Sequence, residues 1–235
     1  MQAILLAGGK GTRLRPYTAT FPKPLMPLGD RPILEIVIRQ LRKAGFGDII
    51  ISTGHLAGLI EAYFGDGGRF GVKIRYVREE KPLNTAGALT MIGGLEEDFL
   101  VMNGDILTTL DYGALMRFHK SKKTAATIGV HERIEKVDYG VIEVGKDGML
   151  SDYIEKPSKS YLVSMGINIL SKKAVSHIKG GEAIGMPDLM LRLKAKGEKV
   201  ACFRSDCEWL DIGRPDDYER AQKAMAEDPG KYLDA

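Results

Sequence analysis

The chain has 235 residues, of which 44% are hydrophobic, enough to bury one sizeable core. Its formal net charge of +3 is too small to imply nucleic-acid binding, and Lys120-Ser121-Lys122-Lys123, the densest basic cluster, reads as a solvated helix end. Two cysteines (Cys202, Cys207) exclude a disulfide scaffold, four scattered histidines lack metal-ligand spacing, and neither a membrane span nor a signal peptide is expected, so the natural setting is cytoplasmic.

Apolar runs of strand length alternate with helical patterns. Strands are predicted at 2–6, 48–53, 72–77, 98–102 and 124–130, and helices at 32–45, 56–64, 85–95 and 111–121. Pro16, Pro22, Pro24, Pro27 and Pro32 keep the chain irregular up to about residue 32. This β–α rhythm predicts an α/β fold with a mostly parallel central sheet covered on both faces. After residue 135 the rhythm changes. Segments 139–144, 148–154 and 161–170 read as consecutive strands, with Gly145-Lys146-Asp147-Gly148 turning between the first two. Helices follow at 172–178 and from Pro187 to about Lys196, then a strand at 198–204 and a last helix near Pro215. There is no internal repeat or low-complexity linker, and one domain over 1–235 is expected.

The most informative segment follows the first strand. Leu6-Ala7-Gly8-Gly9-Lys10-Gly11-Thr12-Arg13-Leu14 places glycines where the backbone can approach a ligand and expose its N–H groups. Thr12 adds a hydroxyl, and Arg13 and Arg15 add guanidinium forks suited to phosphate oxygens. The Walker pattern fails, because Gly9-Lys10 is followed by Gly11. The dinucleotide fingerprint fails too, because Leu14 stands where a small residue is needed and no helix opens at once. In a parallel sheet, a loop at the end of the first strand falls at the ligand-binding edge. Asp105, in Asn103-Gly104-Asp105, ends the fourth strand; an aspartate there is costly unless a cation or hydrogen bonds meet it. Magnesium suits such a site, and a helix N-cap is the competing reading.

The glycine loop, followed by Phe21-Pro22-Lys23-Pro24, resembles the signature of the sugar-1-phosphate nucleotidyltransferases, the nucleotide-sugar pyrophosphorylases. The resemblance continues at Glu80-Lys81-Pro82-Leu83-Asn84-Thr85-Ala86-Gly87, Asn103-Gly104-Asp105, Tyr139-Gly140-Val141, Glu155-Lys156-Pro157, Gly166-Ile167-Asn168 and Trp209-Leu210-Asp211-Ile212-Gly213. It implies a Rossmann-like three-layer α/β/α sandwich, with a nucleotide-binding half over about 1–130 and a sugar-phosphate-binding half over about 131–235. The family's C-terminal left-handed β-helix is not expected from this sequence.

By the resemblance, Arg13, Lys23 and Asp105 are catalytic, and Asp105 and Asp211 hold Mg²⁺. Leu6, Ala7, Gly8, Gly9, Gly11, Thr12 and Arg13 would bind the nucleotide together with Glu80, Pro82, Asn84, Thr85 and Gly87. Thr85 is a plausible N-cap, small Ala86 and Gly87 leave room for a flat base, and Asn84 departs from the family's usual glycine while tolerating similar backbone angles. Asn103, Gly104, Gly140, Glu155, Lys156 and Asn168 would bind the sugar phosphate, and Trp209 reads as a wall or core residue. The partners implied are a nucleoside triphosphate and a sugar 1-phosphate, with no nucleic acid or membrane and a homodimer left open. GTP with mannose- or manno-heptose 1-phosphate leads. Thymidylyl or uridylyl transfer to glucose or N-acetylmuramic acid 1-phosphate is the alternative, and a non-catalytic nucleotide-sugar sensor stands below it.

Overall fold

In the computed structural model, which describes residues 1–233, the predicted alternation builds one seven-stranded sheet. β1 (Gln2–Ala7) leads through the proline-rich segment, with its two-residue arms β2 (Pro27–Leu28) and β3 (Arg31–Pro32), into α1 (Ile33–Lys43). There follow β4 (Asp48–Thr53), α2 (Ala57–Phe64), β5 (Lys73–Arg78), α3 (Asn84–Gly87), β6 (Asp98–Asn103), β7 (Ile106–Thr108) and α4 (Tyr112–Lys122). The rest of the chain forms β8 (Ala126–Lys136), β9 (Val141–Val144), β10 (Leu150–Ile154), β11 (Ser158–Ser171), α5 (Lys172–Val175), α6 (Met186–Ala195), β12 (Val200–Arg204), β13 (Trp209–Asp211), α7 (Pro215–Glu227) and α8 (Pro229–Leu233).

The strand order is β12-β8-β11-β6-β1-β4-β5, and β11 alone runs against its two neighbours. Alternating side chains of β1 feed two separate cores. Ala3 and Leu5 pack with Leu34, Val37 and Leu41 of α1, Phe64 of α2 and Leu115 of α4. Ile4 packs on the other face with Leu189, Met190 and Leu193 of α6. Both faces of the strand are therefore dry, as a central parallel strand requires, and each fully buried Leu or Ile contributes roughly 1.5–3 kcal/mol. A third cluster, with Leu14, Met26, Ile33, Ile212, Tyr218 and Met225, fastens α7 beneath the proline-rich segment. No helix among the described residues is long and apolar enough to cross a membrane.

Several boundaries differ from expectation. The helix predicted at 85–95 is one α-turn followed by a 3-10 turn that stops at Met91; Gly93-Gly94 follows, with Gly94 at φ +71°, where a helix cannot continue. The helix predicted at 172–178 is the single turn α5. The strand predicted at 124–130 runs on to Lys136, because β11 pairs with it along most of its length. β9 and β10 are not part of the main sheet. They pair with each other as a separate hairpin, whose turn has Gly145 N–H donating to Met149 O at 2.9 Å and Gly148 at φ +80°.

Candidate active site

The carboxyl ends of β1 and β6 form the floor of the site. Beyond β1 the loop turns tightly over β4's end; a Cβ on Gly54 would lie 2.7 Å from the Gly8 carbonyl oxygen. Gly11 sits at φ +60°, its carbonyl accepts from Thr18 Oγ1 at 2.7 Å, and it opens a 3-10 turn over Thr12–Leu14. Buried Leu14 pins that turn to the core and leaves Gly9, Lys10, Thr12 and Arg13 facing solvent. Among the described residues, the backbone N–H groups of Gly9, Lys10 and Gly11 find no protein acceptor. These donors and the Arg13 fork form an anion-binding concavity.

At the end of β6, Gly104 N–H donates to Leu6 O at 3.0 Å, which brings Asp105 against the glycine loop. Pro22 and Pro24 flank Lys23 in a short 3-10 turn, and buried Lys23 makes an ion pair with Asp105. Asp211 arrives from more than a hundred residues away, because β13 pairs with β7 in the register Asp211↔Ile106 and Ile212 N–H donates to Asp105 O at 3.1 Å. Arg13 completes the group: a Cβ on Gly213 would stand 3.4 Å from its guanidinium. The N-cap reading of Asp105 belongs instead to Asp111, whose Oδ1 accepts from Ala114 N–H at 2.8 Å.

The electrostatics of this cluster are unbalanced. Burial, and then the Asp105 carboxylate beside it, push Asp211 above the ordinary aspartate value, while Lys23 and Arg13 pull it back. Asp211 keeps an open side towards the cleft, yet its other sides are walled by protein. Asp105 Oδ1 is buried with no hydrogen-bond partner. An orphaned carboxylate oxygen next to a second, repelled carboxylate fits a divalent cation that keeps phosphate oxygens and waters as its other ligands. No group of three or more His, Cys, Asp or Glu with metal-holding geometry occurs among the described residues.

On the β5 side, Asn84 adopts φ +60°, a left-handed backbone angle that glycine takes freely. Thr85 is not the N-cap; Leu83 precedes the helix, and Thr85 Oγ1 accepts from Met186 N–H at 2.7 Å. Ala86 and Gly87 N–H both donate to Ile184 O, at 3.0 and 3.1 Å. The space left by Gly87's missing Cβ is taken by the Glu182 carbonyl rather than left for a base. Glu80 and Pro82 are exposed. The carboxylate that faces the glycine loop is Glu79: Oε1 accepts from Ser52 Oγ at 2.8 Å and would lie 3.0 Å from a Cβ on Gly8, and Oε2 accepts from Leu83 N–H at 3.0 Å. Two adjacent glutamates are indistinguishable in sequence; the Ser52 hydroxyl, which selects Glu79, belongs to another strand.

Between the sheet and α6 lies a cavity of about 510 Å³, with Asn103, Gly166, Asn168, Trp209 and Asp211 in its wall. Gly166 is at φ +71°, and a Cβ there would press 2.8 Å from Asn103 Nδ2. Trp209 is a wall residue, as expected, and its Nε1–H donates to Met165 O at 3.0 Å. Gly140, Glu155 and Lys156 do not line this cavity. They stand on the β9–β10 arm, where the Tyr153 ring covers Gly140 and Lys156 takes φ +45°. Unforeseen lining residues include Ser164, Met186 and Met190; the i, i+4 methionines of α6 carried a sequence signal for a shared face.

Comparisons with known proteins agree with this layout. The sequence model of a family described as nucleotidyl transferase matches residues 2–228. UTP–glucose-1-phosphate uridylyltransferase of Synechocystis sp. is 35% identical over 96% of this chain, which spans 63% of that protein's length. D-glycero-α-D-manno-heptose 1-phosphate guanylyltransferase of Aneurinibacillus thermoaerophilus is 33% identical over 96% of this chain and 98% of its own. The structure of HddC from Yersinia pseudotuberculosis complexed with GMP-PN superposes with a TM-score of 0.71 at 26% identity, covering 95% of this chain and 99% of that one. The central sheet is that of the nucleotide-diphospho-sugar transferase fold, and the chain belongs to the nucleotidyl transferase family, among the sugar-1-phosphate nucleotidyltransferases.

Proposed function

We propose that this chain joins a nucleoside triphosphate to a sugar 1-phosphate, forming a nucleotide sugar and releasing pyrophosphate. GTP is the leading nucleotide, and mannose- or manno-heptose 1-phosphate the leading acceptor. The observation that carries the reading is the meeting of Arg13, Lys23, Asp105 and Asp211 at the open end of the glycine loop. A sugar-phosphate oxygen attacks the α-phosphorus, the bond from that phosphorus to the pyrophosphate oxygen breaks, and no proton need move. The protein's task is therefore positioning and charge neutralisation.

Arg13 and the unpaired amides of Gly9 to Gly11 take the triphosphate and, later, the departing pyrophosphate. Lys23 neutralises charge near the reacting phosphates, and its ion pair with Asp105 keeps its ammonium in place before substrate arrives. Asp105 and Asp211 would hold Mg²⁺, which supplies a template and charge relief for the triphosphate. Glu79, Pro82, Asn84 and Thr85 border the base and ribose. Asn103 and Asn168 face the sugar, and the resemblance of Glu155-Lys156-Pro157 to the family's segment supports Glu155 for the sugar hydroxyls and Lys156 for its phosphate. Each charge-stabilising donor is worth about 10²–10³ in rate.

A second reading, uridylyl transfer to glucose 1-phosphate, is favoured by the 35% identity to the Synechocystis enzyme. Pyrophosphate release with Mg²⁺, measured for GTP, UTP, dTTP, CTP and ATP against a set of sugar 1-phosphates, decides between them. A single nucleotide turning over well above the rest identifies the base. Silence across the whole grid from a folded, nucleotide-binding protein would refute nucleotidyl transfer.

A further inference from the structure

The hairpin of β9 and β10 carries an apolar face that none of the described residues covers. Leu150 stands opposite Val144, and Tyr153 opposite Ile142, so these four side chains share one face. Leu150 and Tyr153 are three residues apart and reach that same face because the strand bulges between them. All four are 47–66% exposed. The ribbon from which the hairpin hangs repeats the pattern: Ile134 of β8 and Leu162 of β11 share a face, at 62% and 58% exposure. Among the described residues, eleven of the seventeen exposed large hydrophobic side chains lie between residues 134 and 162. Such a concentration differs from the single apolar residues scattered over any protein surface. A two-stranded hairpin is marginal in water by itself, so one whose apolar face is bare calls for a cover.

We propose that the cover is a second copy of this chain, the two arms packing apolar face against apolar face about a twofold axis. The area is suitable. The exposed side chains of the arm leave on the order of 1,000 Å² of apolar surface open, and a stable interface covers about 800 Å² on each partner. A sugar phosphate is too small and too rich in hydroxyls to cover such a face. The charges also select a like partner. Seven acidic and five basic residues are interspersed between Glu132 and Lys159. That mixture lacks the basic field that nucleic acid or an anionic membrane requires, and it does not repel its own copy. A twofold interface presents the same patch from both sides, so an apolar face edged by both signs of charge is complementary to itself. Glu155 and Lys156 directly follow β10, so pairing of the arms also steadies the two residues assigned to the sugar phosphate. This last step rests on the proposed function; the interface does not.

The experiment is analytical ultracentrifugation of the whole chain without ligands. The wild type should sediment as a dimer, with a dissociation constant below about 10 μM. The double variant Ile142→Lys/Leu150→Lys should sediment as a monomer with an unchanged thermal midpoint, because both positions are exposed in the single chain. Leu59→Lys, equally exposed but on α2, should keep the wild-type mass. A wild type that is monomeric at tens of micromolar would overturn the proposal, whatever else binds the arm. A dimer that survives the double variant, or is lost in Leu59→Lys, would overturn the placement of the interface. In the pyrophosphate assay the monomeric variant should show KM for the sugar phosphate raised about tenfold, with KM for the nucleotide unchanged. An unchanged sugar-phosphate KM would overturn the steadying of Glu155 and Lys156 alone. Absence of pyrophosphate from the wild type with every substrate pair would refute nucleotidyl transfer and leave the sedimentation result standing.

Discussion

The glycine-loop edge and the β9–β10 arm are both expected to touch substrate, yet they are built in opposite ways. At the loop edge the carboxylates and Lys23 are held by the sheet and by each other. Asp105 hangs from β6 through the Gly104–Leu6 hydrogen bond, Asp211 from β13, and Lys23 lies buried against Asp105. In the arm, every residue of β10 is exposed, and β9 and β10 hydrogen-bond to each other alone. The first region is set by the core before substrate arrives; the second stands free of it. Chemistry that depends on sub-ångström placement belongs on the rigid edge, whereas a group that needs only to meet a sugar hydroxyl or phosphate can ride on an arm.

Mutations should separate the two regions. Asp105→Ala removes the carboxylate that meets Lys23 and is proposed to hold the cation, and should lower turnover by more than about 10³-fold; near-wild-type pyrophosphate release at saturating Mg²⁺ would break the assignment. Arg13→Ala should cost about 10²–10³ in kcat/KM while the thermal midpoint stays put, because Arg13 is exposed. On the arm, Lys156→Ala should cost roughly tenfold, carried by KM for the sugar phosphate and not by kcat, since it removes a contact made equally in ground and transition states. A fall in kcat as large as the loss expected for Arg13→Ala would mean that the arm is as finely placed as the loop.

Two smaller effects concern stability. Gly87→Ala drives a methyl into the Glu182 carbonyl and should destabilise by about 1–3 kcal/mol, read as a lower urea midpoint at unchanged m. Asp211→Asn should do the reverse. The folded-state pKa of Asp211 is raised, so the stability it contributes is present below its unfolded value near 4 and is lost as pH rises through the folded value. At neutral pH the variant escapes that loss. With Asp211 open to the cleft and partly screened, the gain is under about 1 kcal/mol, or ~2 °C in thermal midpoint without metal. The same variant should be impaired in turnover, which is the trade expected of a strained catalytic group.

The loop edge was also the more legible region in sequence. Ile4, Leu5 and the glycines announced a buried strand and a tight loop with open backbone amides, and the prolines marked where α1 begins, because these signals are local in the chain. The approach of Asp211 to Asp105 was foreseen by resemblance alone, since β13 and β7 are three-residue strands too short for any periodicity to register. Thr85 and Gly87 were read as local devices, a cap and a small surface. Their actual partners, Met186 and Glu182, lie about a hundred residues on. Glu79 was missed for the same reason, since its selection over Glu80 depends on the Ser52 hydroxyl. The separation of β9 and β10 from the main sheet was equally hidden, because apolar alternation reads the same in a free hairpin as in a sheet strand.

The bonds from Ala86 and Gly87 to Ile184, and from Met186 to Thr85, have a thermodynamic meaning beyond local architecture. They fasten the segment proposed to border the nucleotide to the first turn of α6, which walls the cavity proposed for the sugar. Whatever steadies one wall steadies the other, so part of the ordering cost is met once for two ligands. Linkage makes such a coupling reciprocal: sugar phosphate should tighten nucleotide binding by the same factor that nucleotide tightens sugar phosphate, and Thr85→Val, which cuts one of those bonds, should shrink both factors together.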